Sequence, residues 1–221
     1  MTRRPEVLLF DLDGTLVDSA PDLAGAANDL REMHGLPPLA YAALRPMVGS
    51  GARGMVGLAF GVTPADERFA ALRDAFLARY AERLLLQTQV FDQMQRVLDS
   101  LDARGRRWGI VTNKAMRFTA PIVQGLGLAA RAAVLIAGDT TPHAKPHPEP
   151  LLEAARRLGV APGACVYVGD DERDMVAGRA AGMLTLAAAW GYLGQGEPVQ
   201  AWGADAVLDS PDALLQWLDL P

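Results

Sequence analysis

Cysteine and histidine are scarce in this chain, with one Cys and three His among 221 residues. A lone Cys165 excludes an internal disulfide and points to a reducing compartment, the cytoplasm. It lies in the apolar run "ACVYVG", where a free thiol is expected to pack rather than to react. Aromatic residues make up only 6 %, and the four tryptophans are scattered instead of grouped as a stacking platform. Basic charge is not in excess either: 21 Lys and Arg against 26 Asp and Glu leave a net charge of -5. With no run of Lys and Arg to meet a phosphate backbone, nucleic acid is not an expected partner, although a small anion needs only a few local cations. No apolar run approaches the roughly 20 residues that span a bilayer, and "MTRRPEVLLF" has too short an apolar stretch for a signal peptide. The expectation is a globular protein with no membrane partner.

Half the residues are hydrophobic, enough for a well-buried core built as one large domain or as one domain with an insert. Six short apolar runs end in polar or Gly positions: "VLLFD" (7–11), "WGIVTN" (108–113), "AVLIAGD" (133–139), "CVYVGDD" (165–171), "LTLAAAWG" (184–191) and "DAVLD" (205–209). They read as strands buried on both faces. Helical patterns separate most of them, including "FDQMQRVLDSLDARG", "RFTAPIVQGLGL", "PEPLLEAARRLGV" and "ERDMVAGRAAG". Strand alternating with helix predicts an α/β domain with a Rossmann-like, largely parallel sheet.

Between Val17 and about Val90 that alternation stops, leaving helix signals and no convincing strand. Ser19 with Asp22 reads as a capping box, and "PADERFAALRDAFLARYAERLLL" sets Phe69, Leu72, Phe76, Tyr80 and Leu84 on one face. The expected division is a core of residues 1–16 and 91–221 with a helical insert at 17–90. The apolar "AERLLL" suits packing of the insert or a homodimer contact, so monomer and homodimer both stay open.

In open parallel sheets ligands bind outside the carboxyl ends of the strands. Here those ends carry Asp11 and Asp13, then Thr112, Asn113 and Lys114, then Asp170, Asp171 and Asp174, while Lys145 follows the "VLIAGD" run. Two like charges about 4 Å apart cost on the order of 4 kcal/mol at an effective dielectric of 20, so such a carboxylate cluster calls for a cation. Oxygen donors without His or Cys at zinc spacing point to Mg²⁺ with a phosphate-bearing ligand. Thr112, Asn113, Lys145 and the amides around Gly14 match phosphoryl oxygens. His143 and His147 flank Lys145, but Pro146 and Pro148 keep them off one helical face, and no metal site is expected there.

"DLDGT" at 11–15, "VTN" at 111–113, "KPHP" at 145–148 and "GDDERD" at 169–174 resemble, in order, the four motifs of the haloacid dehalogenase-like hydrolase superfamily. The resemblance spans essentially the whole chain. It implies an α/β core with an inserted helical cap, and a phosphatase that works through an aspartyl-phosphate. Asp11 would be the nucleophile and Asp13 the general acid and base. Thr112 and Lys145 would hold the phosphoryl oxygens. Asp11, Asp170 and the backbone carbonyl of Asp13 would bind Mg²⁺, with Asp174 holding water beside it and Asp171 a neighbour rather than a ligand. Dehalogenases share only the first aspartate, so Asp13 marks phosphoryl transfer.

The insert resembles the small cap of the phosphoglycolate phosphatase branch, which closes over the substrate. Its loop "MVGSGARGMV" (47–56) is expected to bring backbone amides at Gly51 and the Arg53 guanidinium to the substrate's far end, and Lys114 is expected to face the site, whereas Arg117 reads as a surface helix residue. The leading expectation is hydrolysis of 2-phosphoglycolate to glycolate. The alternative is N-acetylmuramic acid 6-phosphate, because "SGARGMV", "WGIVTNK" followed by "RF", and "GDDERDMVAGRAAG" also resemble the phosphatases of that sugar. A sugar-phosphate mutase and a non-catalytic metabolite binder are weaker readings.

Overall fold

Val7–Phe10 form β1, a strand with no exposed side chain, and its alternation sends successive residues to opposite faces of a sheet. The computed structural model describes residues 5–218. Leu8 and Phe10 pack with Met94, Val97, Leu98 and Leu101 on one side, and Val7 and Leu9 pack with Leu151, Ala154 and Ala155 on the other. Burial on both faces is what makes the strand a continuous apolar run.

The parallel sheet continues with β4 (Arg107–Val111), β5 (Leu135–Ile136), β6 (Cys165–Gly169), β7 (Leu184–Ala188) and β8 (Ala206–Leu208), while the short β2 (Val17–Asp18) and β3 (Gln89–Val90) lie outside it. Its spatial order is β5-β4-β1-β6-β7-β8, with all pairs parallel. This is the doubly wound Rossmann order, in which the winding reverses between β1 and β6. All six apolar runs of the sequence are in this sheet. Its faces are covered by α5 (Asp92–Ala103), α6 (Met116–Gly125), α7 (Glu149–Leu158), α8 (Glu172–Ala180) and α9 (Pro211–Trp217).

Between β1 and α5 come α1 (Ala20–Met33), α2 (Tyr41–Leu44), a 3-10 turn at Arg45–Ser50, α3 (Gly51–Phe60) and α4 (Phe69–Ala81). These helices share an apolar cluster of their own, which Phe118 and Tyr192 join from outside the segment. Phe69, Leu72, Phe76 and Tyr80 are buried in it, whereas Leu84 lies beyond the end of α4.

Three local expectations are corrected. The segment has strands after all: β2 (Val17–Asp18) pairs antiparallel with β3 (Gln89–Val90), Val17 opposite Val90, where the chain leaves and rejoins the sheet layer. Two residues per strand are too few to show an alternating pattern. Ser19 and Asp22 do not form a capping box. The Ser19 and Ala20 amides donate to the Tyr192 hydroxyl at 2.8 and 3.0 Å, while Asp22 accepts from the Gln87 and Thr88 amides and the Thr88 hydroxyl at 2.8–2.9 Å. Finally, residues 47–56 are not an open loop, because α3 already begins at Gly51 and carries Arg53 in its first turn.

Candidate active site

Asp11 and Asp13 leave the carboxyl end of β1 with buried Leu12 between them, so the period-2 geometry turns both carboxylates to the same side. The Asp11 amide still bonds Val168 at 2.9 Å, as if continuing the strand, and the Asp11 carboxylate accepts from the Leu12 amide at 2.7 Å. The chain then curls, with the Leu12 carbonyl accepting from the Leu16 and Val17 amides. Gly14 sits at φ +82°, and a Cβ there would come within 2.2 Å of an Asp170 carboxylate oxygen, so a side chain at this position would displace that acid.

Asp170 and Asp174 follow β6, across the sheet's switch point from Asp11. Both are almost wholly buried. Asp170 accepts from the Thr15 hydroxyl at 3.0 Å and the Tyr192 amide at 2.7 Å. Burial, then the charges of Asp11 and Asp174, push its carboxyl well above the usual range. Asp174 is pushed up to about 6, by burial against the opposing pull of Lys145. Lys145 is the counter-charge: its Nζ lies 2.7 Å from Asp174 and 3.1 Å from Asp11, and also donates to the Tyr167 hydroxyl at 2.7 Å. Burial disfavours this ammonium, but the two acids outweigh it and raise its pKa.

Asp13 has different partners. It accepts from the Ser19 hydroxyl at 2.5 Å and from Lys114 Nζ at 2.8 Å. Lys114 also donates to the Tyr80 hydroxyl of α4 at 2.6 Å. Burial works against this second ammonium too, yet Asp13 and Tyr80 hold it above its ordinary value. A helix of the inserted segment therefore reaches Asp13 through a single lysine.

One cavity of about 390 Å³ gathers most of the sequence-derived residues: Asp11, Asp13, Thr112, Asn113, Lys114, Lys145, Asp170, Asp174 and Gly51 all line it. Two of the expected contributions are corrected. The Asn113 side-chain amide is not turned to a ligand, because both of its ends are bonded to the Lys145 backbone at 2.9 Å, which positions that lysine. Arg53 is exposed and lines a neighbouring groove with Ser50 and Gly57, since its place in the first turn of α3 directs it away from the carboxylates.

Sequence reasoning missed Tyr80, Tyr192, Arg173 and the role of Ser19. Arg173 pairs with Asp171 at 2.7 Å and reaches the Gly49 carbonyl, joining α8 to the segment before α3. Asp171 is lowered despite its burial because this guanidinium faces it. Arg117, read as a surface residue, is exposed but lines the cavity mouth. Only Arg173, inside "GDDERD", lay within a motif that could have drawn attention to it. His143 and His147 meet without a helix, stacked 4.4 Å apart with Glu149 in reach, on an exposed loop where Glu149 is already paired with His143 at 2.6 Å.

The acids have the chemistry of a hard-cation site. Carboxylate oxygens of Asp11, Asp170 and Asp174 lie within 4.8 Å of one another, with no nitrogen or sulfur donor among them. Gly191 closes on the same acid as Gly14, since a Cβ there would fall 2.2 Å from Asp170 Cβ. The donor set fits a divalent ion such as Mg²⁺ and does not fit zinc.

A doubly wound sheet with clustered acids and a lysine at its switch point defines a phosphoryl-transfer enzyme with an α/β core. Residues 8–188 match the family model of the haloacid dehalogenase-like hydrolases, and the chain belongs to that family. It is a phosphoric monoester hydrolase. It is 49 % identical over 213 residues to a phosphoglycolate phosphatase of Xanthomonas campestris, covering 96 % of each chain. It is 41 % identical over 216 residues to an N-acetylmuramic acid 6-phosphate phosphatase of Pseudomonas aeruginosa, covering 98 % of this chain and 96 % of that one. The solved structure of a predicted phosphoglycolate phosphatase from Haemophilus somnus superposes with a TM-score of 0.85 at 26 % identity, covering 98 % and 99 % of the two chains.

Proposed function

We propose that this phosphatase uses Asp11 as nucleophile with Mg²⁺ as cofactor, and that the segment 17–90 acts as its cap. The observation that carries the reading is the convergence of Asp11, Asp13, Lys145, Asp170 and Asp174 on one cavity. An Asp11 carboxylate oxygen attacks phosphorus and the bond to the substrate's alcohol oxygen breaks, giving an aspartyl-phosphate. Asp13 gives its proton to that oxygen, then takes one from the water that hydrolyses the acyl-phosphate, so Asp11 is restored and phosphate leaves. Lys145 and Thr112 face the equatorial oxygens, and Asn113 keeps Lys145 in register by holding its backbone. Asp11, Asp170 and the Asp13 carbonyl would hold Mg²⁺, with Asp174 beside it. When bound, the ion offsets charge on the transferring phosphoryl group.

The Lys114 link from Asp13 to Tyr80 supports a cap that reports on closure to the acid and base. Excess chelator is expected to abolish turnover and added Mg²⁺ to restore it; full activity in chelator would remove the metal from the mechanism.

For substrate, the relatives that share about half their residues support 2-phosphoglycolate, with glycolate as product. A specific observation favours the second reading, N-acetylmuramic acid 6-phosphate. The cavity of about 390 Å³ falls within the roughly 300–1,000 Å³ of pockets that enclose drug-sized molecules, and Leu23, Val48, Phe76, Leu77 and Phe118 give it apolar walls. A sugar ester fills that space, whereas a two-carbon acid leaves much of it to water. Comparing kcat/KM for the two esters decides between them, and a preference for 2-phosphoglycolate would set the cavity argument aside. The single buried cysteine is in keeping with work in the cytoplasm. No helix among the described residues is long and apolar enough to cross a membrane.

A further inference from the structure

We propose that Arg117 forms a carboxylate-binding subsite at the mouth of the cavity, so that the enzyme selects phosphomonoesters whose alcohol part bears a carboxylate. The inference rests on the phosphatase reading and adds to it the recognition of the substrate's far end.

Four cations line the cavity, and three already have acids of their own. Lys145 is held between Asp11 and Asp174, Lys114 is paired with Asp13 at 2.8 Å, and Arg173 with Asp171 at 2.7 Å. Arg117 alone among them makes no ion pair and no side-chain hydrogen bond with a described residue. Asp74, which lines a separate groove together with Arg117 and Phe118, is engaged by Arg73 at 2.7 Å.

Arg117 is also held in place. Its guanidinium lies over the Phe118 ring, 4.5 Å from the centroid, and Phe118 is buried in the apolar cluster of the inserted helices. Stacking on a fixed ring lowers the entropy lost when a planar fork takes a carboxylate in two parallel hydrogen bonds. The two ends of the cavity thus differ in kind. Its floor holds Lys145 and the acid cluster that suits a cation and a phosphoryl group, its walls are largely apolar, and its mouth offers a free guanidinium. A ligand that satisfies all three has a phosphate at one end, an apolar or ring body, and a second anion at the other.

The test compares substrate pairs that differ in that second anion: N-acetylmuramic acid 6-phosphate against N-acetylglucosamine 6-phosphate, and 2-phosphoglycolate against 2-hydroxyethyl phosphate. The quantity read is the ratio of kcat/KM within each pair, which cancels any general loss of active enzyme. The wild-type ratio is expected to favour the acid in at least one pair. Arg117→Met keeps the aliphatic cover on Phe118 while removing the charge, and should lower that ratio by about 10- to 100-fold, chiefly through KM, with Arg117→Lys falling between. A wild-type ratio near one in both pairs, or a preference for the acid that Arg117→Met leaves unchanged, overturns the subsite. Wild-type protein that hydrolyses none of these esters and no p-nitrophenyl phosphate would instead overturn the phosphatase reading itself.

Discussion

Asp11 and Asp13 are separated by a single buried leucine, yet their surroundings differ. Asp11 is held by a backbone amide and lies beside the ammonium of Lys145, in the group of acids that suits a divalent ion. Asp13 is held by Ser19 and Lys114, outside that group. In the proposed reaction the first, beside one ammonium and among acids that suit a divalent ion, attacks phosphorus, and the second, outside that group, carries the proton. Asp11→Asn should therefore lower turnover of any phosphomonoester by at least about a thousandfold, with an unchanged circular dichroism spectrum; a folded variant that retained most of its kcat would remove Asp11 as nucleophile. The residues themselves were legible from β1, because strand-end position and period-2 spacing are local properties. Their partners were not. Tyr192 reaches Ser19 across 173 positions and Asn113 reaches Lys145 across 32, distances over which a linear pattern carries no contact information.

At the scale of elements, the inserted segment is tied down where it starts and ends. β2 and β3 pair through two residues each, far too few to be stable alone, so other contacts must fix the junction. Asp22 of α1 supplies them by accepting three hydrogen bonds from Gln87 and Thr88 just before β3. It is completely buried, and its loss would leave those donors unsatisfied. Asp22→Ala is expected to destabilise the protein by about 3 kcal/mol, read as a lower denaturation midpoint; a change below about 0.5 kcal/mol, the usual bound for surface positions, would show that the junction does not depend on it. The helical character of 17–90 was readable from the apolar spacing in α4. The junction strands were not, because each pairs with a partner distant in sequence. The acid pair that does form a capping box, Asp171 with Asp174, lies instead at α8.

For the whole molecule, the decisive event is the meeting of β1 and β6, which brings three acids to one point at an electrostatic cost. Burial, ahead of neighbouring charges, raises Asp174 to about 6 and Asp170 well above the usual carboxylate range. Unfolded Asp titrates near 3.9, so between about pH 4 and pH 6 these two acids hold more protons in the folded metal-free protein than in the unfolded chain, and their contribution to stability falls as pH rises through that window. A divalent cation bound only to the folded state opposes this loss by mass action. The rise in Tm on adding Mg²⁺ to chelator-treated protein should therefore be larger near pH 7.5 than near pH 5, measured by differential scanning fluorimetry. An equal rise at both pH values would separate the ion from these acids.

The amino-acid sequence by itself determined the six buried strands, the helices between them and the identity of the acids and lysines at the strand ends. Those follow from periodicity and from chemistry carried by neighbouring residues. Only the tertiary structure decided which donors reach Asp13 and Asp170, that Asn113 serves Lys145 instead of a ligand, and that Arg117 is at the cavity mouth while Arg53 is not. Each of these depends on side-chain direction and burial, which exist only once distant segments pack together.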